Sequence, residues 1–246
     1  AQEGRQYGAS EPAEGGMISF KALGALLDYP TPQLQAAADE IEQALIREQA
    51  VPAAELVEVG AFLERLRTTD IMDLQEYWVG LFDRSKRLAL HLHEHSYGES
   101  RDRGQAMVNL ALTYRMNGFE LAASEMPDYL PLFCEFLSQV PEAAARRYLG
   151  DAIEIVEALR IRLDERDSTY AALLGALVAL SSKAADEAEV EAILAGEPQD
   201  PKDLDELDAE WAEDPVTFGA GAAMNDCPYS GDIVRNRAAD LSREAA

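Results

Sequence analysis

Cysteine and long apolar runs are both scarce in this sequence. Only Cys134 and Cys227 occur among 246 residues, one within an apolar run and one in a segment rich in Gly and Pro. This usage argues against a disulfide framework and favours a reducing compartment. The longest strongly apolar stretch, Ala171–Leu180, is too short for a membrane span, and no charged-then-apolar leader opens the chain. These absences predict a cytoplasmic protein.

Basic residues are also few, with 21 Lys and Arg against 46 Asp and Glu and a net charge of −25. A surface of this charge repels nucleic-acid phosphates, so nucleic acid is not an expected partner. The same surface attracts a basic peptide or a cationic protein face, and added salt weakens that attraction. The charge therefore favours a binding role toward a basic partner.

Apolar alternation with a period of two is missing over any useful length, which argues against strands. Apolar residues recur instead at helical spacing in successive segments from Phe20 to Leu180. Short polar connections separate these segments, as in a bundle of antiparallel neighbours. The sequence predicts an all-α, single-domain helical bundle over residues 17–182.

Short motifs predict where helices begin and end. Thr68-Thr69-Asp70 offers caps for the helix that follows it, and Asn117-Gly118 suits the left-handed turn that closes many helices. Asp128 is predicted to cap the helix that follows it. Pro141 suits the first turn of one long helix that carries core residues as far as Leu163.

The composition changes at both ends of the chain. Residues 1–16 are rich in Gly, Glu, Gln and Ala without an apolar period, which predicts a disordered extension. Between Lys183 and Asp214, 13 acidic residues accompany two lysines, so residues 183–246 are predicted to form an acidic, partly mobile tail. Trp211, Val216 and Phe218 make residues 211–219 a candidate docking segment within it, and a wholly mobile tail is the alternative.

Motifs for catalysis are weak. His91 and His95 would share a helix face at metal-ligand spacing, but the order around Glu94 does not match His-Glu-x-x-His, and no further Cys or His completes a structural zinc site. A polar, partner-facing or core-satisfied helix end is the favoured interpretation. Gly219-Ala-Gly221 follows an acidic segment rather than a strand, and no phosphate-binding loop or recognisable nucleophile is present. The residues alone do not exclude an enzyme, but they offer no site for one, and metal binding is not the favoured interpretation.

Two neighbouring segments, 98–107 and 125–137, combine charged, amide and aromatic side chains. A peptide groove uses such a mixture, because aromatic rings hold anchor residues, carboxylates hold basic residues, and Arg and Gln bind the peptide backbone. The residues predicted to form the groove are Arg101, Asp102, Arg103, Gln105, Tyr114, Glu125, Asp128 and Tyr129.

At these segments the chain resembles the NarJ family, the delta-type assembly chaperones of respiratory nitrate reductase, which are related more distantly to the TorD and DmsD redox-enzyme maturation proteins. The resemblance rests mainly on His91-Leu-His-Glu-His95, on Gly98-Glu-Ser-Arg-Asp-Arg-Gly-Gln-Ala-Met107 and on Glu125-Met-Pro-Asp-Tyr-Leu-Pro-Leu-Phe133. Weaker support extends it from about Phe20 to Pro228. His93 and Glu94 in the first motif join the candidate peptide-binding residues.

The resemblance implies an all-helical, TorD-like chaperone without a cofactor of its own. Such a protein binds the apo catalytic subunit of a molybdoenzyme, including an N-terminal remnant of a twin-arginine signal, until the molybdenum cofactor is inserted. It meets the membrane only indirectly, through the client complex. A metal- or nucleotide-dependent enzyme, or a GTP-binding chaperone, is the alternative, and metal analysis with nucleotide titration distinguishes the two.

Overall fold

The computed structural model describes residues 16–84, 86–97, 101–121 and 126–196, without the side chains of residues 96, 97, 101 and 102. Over these residues the chain forms α-helices, one short 3-10 helix at Lys86–Leu88, and no strand, which confirms the all-α prediction. The α-helices are, in chain order, α1 (Ile18–Leu27), α2 (Pro32–Ala36), α3 (Ala38–Glu48), α4 (Ala53–Thr68), α5 (Ile71–Phe82), α6 (Leu92–Tyr97), α7 (Arg101–Met116), α8 (Leu130–Gln139), α9 (Glu142–Gly150), α10 (Ile153–Asp164), α11 (Ala171–Leu180) and α12 (Glu187–Ala195).

Helix α1 lies inside the helical body, because its sequence is apolar on almost every side. It packs most extensively on α8 and also contacts α3 and α11. The two helices meet closely at Gly24: a Cβ there would lie 2.6 Å from the Cβ of Cys134 and 3.0 Å from the carbonyl oxygen of Pro131. The α1 and α8 pair is therefore the centre of the core.

Other helices pack around this pair. Helix α4 contacts α3 and α11, α9 contacts α8, and α10 contacts α6, α11 and α12. Helix α6 also contacts α7. In the part of the chain that the structure describes, every helix falls short of the length and apolar character that a membrane span requires.

Two predicted helix ends are confirmed. The Asp70 carboxylate accepts the Met72 N–H at 2.8 Å and so caps α5. Gly118 has a φ of 77°, and the N–H of Phe119 donates to the Tyr114 carbonyl at 2.9 Å, which closes α7 with a Schellman turn. Both ends are built from neighbouring residues, so local motifs suffice to predict them.

The start of α1 is capped by a distant residue. Met17 at its N-cap offers no side-chain hydrogen bond. Instead, Glu48 at the end of α3 accepts the N–H groups of Ile18 and Ser19 at 2.6 and 2.7 Å. A carboxylate at a helix N-terminus both satisfies unpaired N–H groups and complements the helix dipole, so Glu48 joins α3 to the central helix.

The prediction of one long helix after Pro141 is wrong. The chain breaks between α9 and α10, where the N–H of Ala152 donates to the carbonyl of Leu149, three residues earlier, at 3.0 Å instead of continuing the α-helical pattern. Gly150 at the break approaches another segment closely, since a Cβ there would lie 2.9 Å from the Oγ of Ser182. The break lets α9 pack on α8 while α10 packs on α11 and α12.

The helical body continues beyond the boundary predicted at Ser182. Helix α12 packs on α10, with Val190 only 5% exposed. Its Ile193 carbonyl accepts a hydrogen bond from the fully buried Arg162 at 2.9 Å. The sequence misplaced this boundary because the acidic side chains of α12 face outward and only a narrow apolar stripe faces inward. Two terminal parts of the chain lie outside the described residues: 197–246, which include Trp211, Val216 and Phe218, and the first fifteen residues of the predicted extension 1–16.

Candidate functional site

The turn before α8 and the start of α6 lie side by side. His91 and Tyr129 form an isolated antiparallel bridge. The Leu92 N–H donates to the Asp128 carbonyl at 3.0 Å, and the Leu130 N–H donates to the Leu90 carbonyl at 2.8 Å. The segments around His91 and Tyr129 are thereby fixed to each other by backbone hydrogen bonds.

Asp128 is completely buried and binds α6 through its side chain as well. Its Oδ2 accepts the His93 N–H at 3.1 Å, and its Oδ1 lies 3.3 Å from the Nδ1 of His91. Together with the Leu92 N–H at its carbonyl, these contacts satisfy the first turn of α6. The prediction that Asp128 caps the helix that follows it is therefore wrong, because the carboxylate reaches back to a helix about 35 positions earlier.

The charge of this carboxylate is stabilised within the fold. Burial alone would raise the pKa of Asp128, but its contacts with His91 and His93 outweigh that effect and hold the pKa below the usual value. Burial also lowers the pKa of His93, with a smaller contribution from the positive charge of Arg103, and Asp128 opposes this shift. The arrangement thus favours an ionised Asp128 against α6.

This arrangement predicts a pH-dependent effect of Asp128→Asn. Because the folded pKa lies below the usual 3.8, the carboxylate stabilises the fold above that pH and loses its contribution as the pH falls through the lowered value. We expect Asp128→Asn to lower the free energy of unfolding by about 1–2 kcal/mol at pH 7, and the difference from wild type to shrink toward pH 3. Urea denaturation at several pH values measures both.

The exposed Asp83 at the end of α5 provides the control. Asp83→Asn should leave the free energy of unfolding close to that of the wild type at both ends of the pH range. A difference between Asp128→Asn and wild type that is the same at pH 7 and at pH 3 would contradict the role given to the buried charge.

Tyr129 connects the same turn to the end of α1. Its hydroxyl donates to Asp28 Oδ1 at 2.8 Å, and that oxygen also accepts the Tyr29 N–H at 2.8 Å. The ring lies over His91, with the centroids 5.3 Å apart. Tyr129 is half-buried, so part of the ring remains accessible at the surface.

Tyr114, predicted as an aromatic floor, is fully buried instead. Its hydroxyl donates to the Pro127 carbonyl at 2.6 Å, and burial raises the pKa of this phenol. Its ring packs against Phe136, with the centroids 4.4 Å apart. In the described conformation Tyr114 and Asp128 support the surface from beneath rather than form it.

Helix α7 has two apolar faces. Met107, Leu110, Ala111 and Tyr114 recur at core spacing along one face, and this face is half-buried or buried. On the opposite face, Val108, Leu112 and Met116 are 53%, 46% and 87% exposed. Their spacing of four residues places them in one row along the helix, so α7 carries an exposed apolar stripe that the sequence interpretation missed.

The predicted polar residues divide between these faces. Gln105 lies with the exposed stripe, and its amide donates to Asn109 Oδ1 at 3.0 Å. Arg103 is half-buried and lies near His93, whose pKa it influences. Glu94 on α6 is half-buried as well. The side chains of Arg101 and Asp102, and all of Glu125, lie outside the described residues.

The histidines do not form a metal centre in the described part of the chain. His91 contacts Asp128, whereas His95 is buried, and its Nε2 lies 2.7 Å from the Ala89 carbonyl. No group of three His, Cys, Asp or Glu suited to a metal ion occurs among the described residues. Gly219 and Gly221 lie outside them.

Comparison with known proteins places the chain in a family. Residues 30–175 match the model of the nitrate reductase delta subunit family. The chain is 38% identical over 210 residues to the nitrate reductase molybdenum cofactor assembly chaperone NarJ of Escherichia coli (strain K12), covering 85% of this chain and 89% of that protein.

Two further relatives extend the comparison. NarW of the same strain, named as a probable chaperone of the same kind, is 36% identical over 202 residues, which cover 82% of this chain and 84% of NarW. A NarJ protein of Bacillus subtilis (strain 168), named in the same way, is 34% identical over 169 residues, which cover 66% of this chain and 87% of that protein. With a family match over more than half its length and relatives that it covers almost completely, this chain belongs to the nitrate reductase delta subunit family.

Proposed function

We propose that this protein is an assembly chaperone that binds the apo catalytic subunit of a respiratory nitrate reductase-like molybdoenzyme. It holds that subunit, including its N-terminal twin-arginine-like peptide, while the molybdenum cofactor is inserted. It acts by binding rather than by catalysis, works in the cytoplasm, and meets the membrane only through its client. The names of its relatives as nitrate reductase molybdenum cofactor assembly chaperones support this role.

The exposed stripe of α7 is the observation that carries the proposal for the peptide. Val108, Leu112 and Met116 present three apolar side chains in one row, next to the predicted residue Gln105. An amphipathic helix presents its own apolar face as a row with the same spacing, so two such helices can pack along their length. We assign the N-terminal segment of the catalytic subunit as the occupant.

Polar groups beside the stripe suit such a complex. The Gln105 and Asn109 amides are exposed and joined by one hydrogen bond, which leaves further donor and acceptor capacity for a bound segment. Arg115 is exposed on the same side of the helix. These groups form a polar rim around an apolar centre, as in other protein interfaces.

A pair of glutamine variants tests the stripe. The double variant Leu112→Gln and Met116→Gln removes apolar contact area while keeping long, helix-compatible side chains. We expect the wild type to bind a synthetic N-terminal peptide of a nitrate reductase catalytic subunit with a Kd in the micromolar range, about −8 kcal/mol. The double variant should bind it at least about tenfold more weakly, a loss of about 1.4 kcal/mol. Isothermal titration calorimetry measures both affinities.

Met72→Gln is the matched control, because Met72 on α5 is also an exposed methionine, at 68%. It should change the Kd by less than about twofold. Co-purification of the full apo catalytic subunit with each variant then shows whether the peptide result extends to the client. Wild-type affinity in the double variant would contradict the assignment of α7.

A further inference from the structure

A second apolar surface lies away from α7, between α3 and α4. A cleft of about 130 Å³ opens there between Leu45 and Ile46 on one side and Leu56, Val57, Gly60 and Leu63 on the other. Engineered apolar cavities of about 150 Å³ hold a benzene molecule. The cleft therefore has room for one large aliphatic or aromatic side chain.

The rim of the cleft is apolar and open to solvent. Ile46 is 48% exposed and Val57 is 70% exposed, one on each helix. Beneath them, Leu45 and Leu63 are buried and form the floor. A pocket formed by side chains of two neighbouring helices is the type of hole that accepts an apolar knob from a third helix.

One end of the cleft carries excess negative charge. Glu42 lines the cleft and pairs with Arg67, and the same guanidinium contacts Asp39 at 2.7 Å and Glu64 at 3.7 Å. Three carboxylates thus share one positive charge. The side chains of Asp39 and Glu64 are 87% and 69% exposed, so a cation from outside can approach them.

We propose that the cleft between α3 and α4 binds a helical segment of a partner protein in which one large apolar side chain is accompanied by Lys or Arg about one turn away. The apolar side chain enters the cleft, and the basic side chain meets the excess carboxylates beside Arg67. This site goes beyond the proposed function, since it shares no residue with the α7 stripe. A second copy of this chain is a poor occupant, because two molecules of net charge −25 repel each other.

Gly60 provides a way to fill the cleft without disturbing its walls. A Cβ at Gly60 would meet only the Oε1 of Glu42, at 3.8 Å, which is an ordinary contact distance. A leucine at this position would project into the cleft and occupy the space of the incoming side chain. Gly80 on α5 is also within a helix, and a Cβ there meets nothing within 4 Å, so Gly80→Leu is the matched control.

The probe is a fluorescent 18-residue synthetic helix of leucine and lysine, followed by fluorescence anisotropy in 0.15 M salt. Two further peptides replace every leucine by alanine or every lysine by glutamate. We expect the Leu/Lys peptide to bind wild type and Gly80→Leu with equal Kd, and Gly60→Leu at least about tenfold more weakly. The Ala/Lys and Leu/Glu peptides should also bind the wild type at least about tenfold more weakly.

Two outcomes would overturn the proposal. Unchanged binding of the Leu/Lys peptide by Gly60→Leu would show that the peptide does not enter the cleft, and tight binding of the Ala/Lys peptide would show that charge alone attracts it. If Gly60→Leu does not fold, as judged by circular dichroism, the exposed rim variants Ile46→Ser and Val57→Ser replace it with the same expected loss.

The same peptide separates this proposal from the proposed function. Because α7 also offers an apolar row to amphipathic helices, the Gly60→Leu and Gly80→Leu comparison is repeated in the Leu112→Gln and Met116→Gln background, where the Leu/Lys peptide should still bind through the cleft. A loss of binding in that background would instead place this peptide on α7 and overturn the proposal for the cleft. A failure of the catalytic-subunit peptide to bind would contradict the assignment of α7 and leave the Gly60→Leu result unaffected.

Discussion

Replacing Gly24 by alanine is expected to destabilise the protein, although alanine is the better helix former. The new Cβ would lie 2.6 Å from the Cβ of Cys134 and 3.0 Å from the backbone oxygen of Pro131, so α1 and α8 must move apart. Overpacking of this kind costs about 1–3 kcal/mol. We expect the free energy of unfolding, measured by urea denaturation, to fall by about that amount.

Gly80→Ala is the comparison that isolates the close contact. Nothing lies within 4 Å of a Cβ at Gly80, and the residue is exposed on α5. Alanine in a helix interior is favoured over glycine by about 0.5–1 kcal/mol, so this variant should be more stable than the wild type. The change in the free energy of unfolding should thus have opposite signs for Gly24→Ala and Gly80→Ala. A Gly24→Ala variant that is more stable than the wild type would contradict the packing described for α1 and α8.

Replacing Arg162 by methionine is expected to have a still larger effect. The Arg162 side chain is completely buried and donates to the carbonyls of Arg87 and Ile193 at 2.8 and 2.9 Å. Its Nη1 also lies 3.4 Å from Nδ1 of His95. Nε2 of the same imidazole lies 2.7 Å from the Ala89 carbonyl, so Nε2 carries the proton and Nδ1 accepts a hydrogen bond from Arg162. Methionine keeps the apolar length but leaves these acceptors without their donor.

Each acceptor that loses its charged donor costs about 1–3 kcal/mol, so we expect a total loss of about 3–5 kcal/mol. Arg160→Met on the same helix is the control, because Arg160 forms a partly exposed ion pair with Glu157. Such a pair contributes at most about 1 kcal/mol. Equal denaturation midpoints for the two variants would show that Arg162 does not hold α12 and the segment around Arg87 to α10.

Features that depend on adjacent residues could be read from the sequence. The Asp70 cap and the turn at Gly118 each involve groups within about five positions of one another. The apolar spacing that predicts each helix is equally local, because side chains three or four positions apart share a face. The helix content and several helix ends therefore followed from short windows of sequence.

Features that depend on distant partners could not be read in this way. Asp128 has the residue type and position of a cap, but its hydrogen bonds go to α6 because the bridge between His91 and Tyr129 brings that helix beside it. Arg162 occupies an apolar stripe, and only the fold shows the carbonyls that justify its burial. The sequence contains the donors and acceptors but does not indicate which of them meet.

The two apolar faces of α7 show a second limit of prediction from sequence. An apolar residue on an amphipathic helix is ordinarily assigned to the core, and the stripe from Met107 to Tyr114 fits that assignment. Val108, Leu112 and Met116 follow the same period with a shift of one position, so the pattern alone does not tell which stripe faces inward. Burial distinguishes the two faces. Tyr114 lies inside the protein, whereas the stripe of Val108, Leu112 and Met116 is exposed and available to a partner.

The central position of α1 has a consequence for synthesis on the ribosome. This helix is synthesised before its main partner α8, which follows about one hundred residues later, and Tyr129 reaches Asp28 across 101 positions. Until α8 is made, the part of the apolar surface of α1 that packs on α8 has no partner, and such nascent segments are prone to aggregate. Contacts between distant parts of a chain also slow folding. We therefore expect α1 to need protection from aggregation during synthesis until α8 has been made.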